Sequence, residues 1–165
     1  FFLNNRYDGL INGEVYFSKI NSTPFVITNL NIKNSRFDNL IYDDTFIQSS
    51  LKNNVLSINN FSANSDESSL IFNGFIDIKN NNNSQINPSN KIELNGEVEN
   101  FEISYLSKYI PWTINIGGKL TSSIFINGSL NNIEVRMNST ILKPEFDKIL
   151  GEELSGNITY KNNRF

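Results

Sequence analysis

The feature that most constrains this chain is a period of two into which its glycines fall in phase. One pattern (apolar, any residue, Gly, any residue, apolar) recurs six times, at 11–15, 72–76, 94–98, 116–120, 126–130 and 154–158. Four of these glycines follow Asn, which between alternating strands is the signature of a two-residue hairpin turn. The residues flanking such a turn pair directly and face the same way. Leu94 would then lie opposite Glu97, Ile11 opposite Glu14 and Ile126 opposite Ser129, apolar against polar. A strand that runs straight through instead puts Gly13, Gly74, Gly96, Gly118, Gly128 and Gly156 in the same series as their apolar neighbours. The straight strand is the preferred reading. It places these glycines inside strands, on the apolar face.

The alternation extends well beyond the glycines. Ile11, Gly13, Val15 and Phe17 share one face, as do Val26, Thr28, Leu30 and Ile32. Short strands are expected near 36–42, 45–51 and 55–61, separated by the turn formers Asp43-Asp44 and Asn53-Asn54. Leu70, Phe72, Gly74, Ile76 and Ile78 form the next face, followed by an Asn-rich tract at 80–90 that reads as a flexible surface loop. Ile92, Leu94, Gly96 and Val98 then oppose Glu93, Asn95, Glu97 and Glu99. Two long series close the chain, from Leu120 to Leu130 and from Ile133 to Ile141.

Two places break the period. Ile103, Leu106 and Ile110 have helical spacing ended by Pro111, which predicts a short helix or helical turn. Phe146, Ile149 and Leu150, with Gly151 as a stop, predict a second one over 144–150. Two successive glycine intervals of 22 residues suggest a β-solenoid, but the other intervals do not keep that period. The expected fold is therefore mostly β, a long antiparallel meander with one or two short helices. The whole of 1–165 reads as one segment of a longer repetitive protein, with both ends truncated.

Composition narrows the chemistry. With 14 Lys+Arg scattered among 17 Asp+Glu, no basic stripe exists for nucleic acid. The chain has no His and no Cys, which removes the commonest general base, metal ligand and thiol nucleophile. Asp43-Asp44, Asp66-Glu67 and Glu152-Glu153 are adjacent carboxylates in turn-like contexts, and strand neighbours point to opposite faces. They do not form the converging pair that glycoside hydrolysis needs. No calcium loop, nucleophile elbow or phosphate loop occurs. The expectation is a protein that is not an enzyme, with no cofactor and no metal. About one residue in six is Asn, a bias that an AT-rich genome also produces.

What remains is a sheet with one apolar face, which must be covered by something. A second sheet would make a sandwich, its own curl a barrel or trough, and an equally apolar ligand such as acyl chains a carrier. All three stay open on the residues alone.

From residue 55 onward the text resembles the AsmA-like superfamily, and within it the TamB-type members. The string Ile126-Asn127-Gly128-Ser129-Leu130-Asn131-Asn132-Ile133-Glu134-Val135 is similar to that family's recurring unit. So are Ser69 to Ile78 after Phe61-Ser62-Ala63-Asn64, the helix-like Ile103-Ser104-Tyr105-Leu106, the Gly118-Lys119-Leu120 strand and Leu154 to Tyr160. The Asn-rich tract and the abundance of Phe depart from the family's texture.

The resemblance implies that the long antiparallel meander is curled into an open, taco-like groove in the periplasm of a diderm bacterium, anchored in the inner membrane through flanks outside this segment. It implies phospholipid acyl chains as cargo and an outer-membrane barrel protein as a partner. The expected groove lining is Phe72, Ile76, Leu94, Val98, Ile124, Ile126, Val135 and Met137, with the six glycines facing the same groove. The alternatives are a surface adhesin or autotransporter passenger, and a carbohydrate-binding sandwich with a platform at Tyr109 and Trp112.

Overall fold

The computed structural model describes residues 7–20, 23–37, 40–79, 87–106, 116–129 and 131–161. Among the described residues, ten strands form one antiparallel sheet. They are β1 (Tyr7–Ile20), β2 (Thr23–Phe37), β3 (Leu40–Lys52), β4 (Val55–Asn64), β5 (Ser69–Asp77), β6 (Lys91–Glu102), β7 (Ile116–Ser129), β8 (Asn132–Phe146), β9 (Ile149–Leu150) and β10 (Glu153–Lys161). Each strand pairs with the next in sequence, except that the two-residue β9 pairs only with β8 and β10 takes the next place beside β8. A 3₁₀ turn, Ile103–Leu106, follows β6.

The meander is the expected one. The taco-like curl is not: the sheet is open and uncurled, and β1 and β10 are its two free edges. The physical reason is that, among the described residues, strands make nearly all their contacts with hydrogen-bonded neighbours, and the one small core, where Leu40 of β3 joins Val98, Phe101, Ile103 and Leu120, does not fold one half of the sheet over the other. The surface area says the same. A compact chain of this mass would expose about 8,300 Å², whereas this one exposes 11774 Å².

Glycines do sit inside strands, Gly13 in β1, Gly74 in β5, Gly96 in β6, Gly118 and Gly128 in β7 and Gly156 in β10. The turn between β3 and β4 is made by Asn53 and Asn54, with φ of 51° and 61°. Two successive positive φ values match the right-handed twist of the flanking strands, and Asn tolerates them. Asp43 and Asp44, in contrast, do not form a turn. They lie within β3, where Asp44 is held by an ion pair with Lys33 directly across on β2.

The expected helix over 144–150 is also absent. Phe146 ends β8, Asp147 turns back with φ 56°, and Ile149 pairs directly with Phe146. The spacing of three that suggested a helix is here the spacing across a two-residue hairpin. At the other break only the 3₁₀ turn forms, and residues 107–115, including Tyr109, Ile110, Pro111 and Trp112, lie outside the described residues. Within the Asn-rich tract, 80–86 also lie outside them. Its end is tightly held, since Asn90 is buried and donates from Nδ2 to the Lys79 carbonyl at 2.9 Å. The Asn87 amide closes on the same carbonyl at 2.9 Å.

Bulges set which residues share a face. The register shifts between Val98 and Phe101, where Asn100 has φ 52°, so two apolar residues three apart point the same way. With Ile103 and Leu120 they make the buried core, against which Leu40, Leu70, Phe72, Ile124 and Ile141 pack.

Candidate functional site

Directly opposite residues in an antiparallel sheet point to the same face, so the register assigns each side chain to a side. One row runs Ile58, Gly74, Leu94, Ile126, Val135, Tyr160. The next runs Phe61, Phe72, Gly96, Ile124, Met137, Ile158. Ile76 stands opposite Ile92 one row further out, and Val98 lies between Leu70 and Ser122 on the other side. All eight residues singled out from sequence therefore stand on one face, Val98 buried and the other seven half-buried.

The glycines share these rows. Gly13 faces Leu30, Gly128 faces Ile92 and Ile133, and Gly156 faces Ser139. At Gly74, with φ 140°, an added Cβ would lie 2.0 Å from the Glu93 carbonyl oxygen, so only glycine fits. Gly118 sits at a bulge beside Ile141.

No second layer covers this face among the described residues. It is most open at β1, where Ile11, Val15 and Phe17 are 64%, 61% and 71% exposed. The other face carries Glu93, Asn95, Glu97 and Glu99 on β6. On β8 and β10 it carries an ion-pair group in which Glu134 meets Arg136 at 2.6 Å and Lys161 at 2.9 Å. Hydrogen bonds from Lys161 and Arg136 hold the Glu134 carboxyl below its ordinary range.

Two depressions mark the apolar face. One, of about 400 Å³, lies on β8 and β10 between Val135, Met137, Ile158 and Tyr160. The other, of about 420 Å³, crosses β1 to β4 and was not legible from sequence. Its floor is built of small side chains in register, Thr45 opposite Ala63, with Ser35 beside them, and its walls include Ile11, Ile32, Ile47 and Phe61. The signal that could have found it is the pair of small residues, Thr45 and Ala63, on apolar-face positions of neighbouring strands.

Of the carboxylates named from sequence, Asp43, Asp66 and Glu67 line one depression together with Glu102 and Lys119. Asp43 and Asp44 are adjacent in β3, and Glu67 is engaged with Lys119 at 2.7 Å. Among the described residues no three acidic side chains cluster to hold a metal, and no helix is long and apolar enough to cross a membrane. No family model, curated protein or solved structure matches the chain.

Proposed function

We propose that this chain is a segment of an AsmA-like, TamB-type envelope protein of a diderm bacterium whose apolar face carries phospholipid acyl chains toward the outer membrane. In the same reading it supports assembly of outer-membrane proteins together with a barrel partner. The observation that carries the proposal is the uncovered apolar face: Ile, Leu, Val, Phe and Met side chains run across the sheet, interspersed with Gly, Ser and Thr, and no second layer lies over them among the described residues. A sandwich or a closed adhesin core needs that layer. Acyl chains laid on the face would contribute about 0.8 kcal/mol per buried methylene, while head groups remain in water. Because the sheet is uncurled, the carrying surface is a shelf open along its length.

Site-specific photo-crosslinking tests this. A photoreactive residue at position 94, on the apolar face, is expected to capture lipid from vesicles or envelope extracts. One at position 97, on the opposite face and exposed, is expected to capture little. Equal lipid labelling at both positions would reject the proposal.

A further inference from the structure

The trough across β1 to β4 holds an unexplained polar group. Tyr42 is only 6% exposed, and its hydroxyl is the one buried side-chain oxygen or nitrogen among the described residues that has no hydrogen-bond partner. Two polar side chains of the same trough are committed elsewhere. Ser35 Oγ and Thr45 Oγ1 bond each other at 2.6 Å, and Ser35 Oγ also donates to the Tyr42 carbonyl at 3.4 Å. A buried hydroxyl without a partner is costly, and a fold that keeps one has a use for it or fills it from outside.

The surroundings suggest what fills it. On one side Tyr42 lines the trough with Ile11, Ile32, Ile47 and Phe61, and with Asp8 and Arg36. On the other it lines a more polar depression with Asp43, Asp66, Glu67 and Lys119. It stands between a mainly apolar lining and a more polar one. Burial pushes the phenol up to about 12, so the hydroxyl keeps its proton and remains a donor. The volume of about 420 Å³ is within the range of small-molecule sites.

We propose that this trough is a discrete seat for an amphiphile whose hydrocarbon part lies on Ile11, Ile32, Ile47 and Phe61. Its carbonyl oxygen, of an ester or an acid, accepts a hydrogen bond from the Tyr42 hydroxyl. The inference rests on the apolar-carrier reading and adds a fixed stop to it, on strands other than those bearing the eight residues named from sequence.

The test uses the whole chain and two neutral probes of matched length, methyl decanoate and undecane, each displacing an anilinonaphthalene dye from the protein. Tyr42→Phe keeps the ring and removes the donor. It is expected to weaken the ester about fivefold to tenfold, the usual effect of one hydrogen bond, and to leave the alkane unchanged. Ala63→Leu, which raises the floor, is expected to weaken both probes. Equal ester affinity in the native protein and Tyr42→Phe would overturn the Tyr42 assignment while the apolar face still binds. Failure of the native protein to bind either probe would overturn the seat and the carrier reading together.

Discussion

Phe72 lies directly opposite Gly96 on the neighbouring strand, and its ring fills the space a side chain on Gly96 would take, with Cε1 2.3 Å from the position of an added Cβ. The aromatic ring thereby covers backbone that glycine leaves bare. This gives an in-strand glycine a packing role.

The glycines are therefore unequal in what they tolerate. Gly96→Ala must displace the Phe72 ring and is expected to cost about 1–3 kcal/mol. Gly74→Ala, blocked by the Glu93 carbonyl and strained at φ 140°, is expected to cost at least as much. Gly156→Ala meets nothing within 4 Å and is expected to be neutral, or to stabilise by about 0.5–1 kcal/mol. Urea denaturation of the three variants measures the order, and a Gly156→Ala loss matching that of Gly74→Ala would contradict it.

Tyr42 makes stability depend on pH at the alkaline end. Its phenol is raised from 10.0 to about 12, first by desolvation and then by Tyr105. A raised folded-state value means the contribution is complete below pH 10 and is lost as pH rises through 12. That loss is on the order of 2 kcal/mol. Tyr42→Phe is expected to flatten this part of the stability curve, and also to raise stability at neutral pH by about 1 kcal/mol if the hydroxyl stays unpaired there. Denaturation series between pH 9 and pH 12 compare the two proteins; identical slopes would remove Tyr42 as the cause.

Glu67, in the β4–β5 connection, reaches past β6 to Lys119 on β7. The hydrogen bond from Lys119, and then its charge, hold the Glu67 carboxyl below its ordinary range. Whatever this contact adds to stability is present above that range and fades as pH falls through the lowered value. Both groups are exposed, so salt screens the pair. Lys119→Met is expected to return Glu67 to the usual carboxylate range in an NMR titration, and an unchanged titration would show that another group sets it.

Side-chain parity was legible from sequence because the period of two is local. Leu94 against Glu97, or Ile126 against Asn127, states its face without knowing its partner strand. The placement of glycines inside strands was legible for the same reason, since Gly96 keeps phase with Leu94 and Val98. Partners that come from elsewhere were not legible. Asp43-Asp44 looked like a turn because the Lys33 that steadies Asp44 belongs to the preceding strand. Phe146 and Ile149 looked helical because a spacing of three also joins residues facing each other across a tight hairpin. The Tyr42 trough depends on the register of four strands at once, which no single stretch encodes. Curl, too, is a property of the whole sheet, and the one that the resemblance implied is not made by the strands.

A layer in which the strands lean mainly on the two beside them, with one small core around Val98 and Leu120, has little common interior to melt as a unit. Its cooperativity is that of a linear array, propagated neighbour to neighbour. Opening should start where one side has no neighbour, at β1 and β10, and advance inward. Amide hydrogen exchange would then be fastest at the edges and slowest along β6 and β7, around Val98 and Leu120, and damage at one edge would leave the far strands protected.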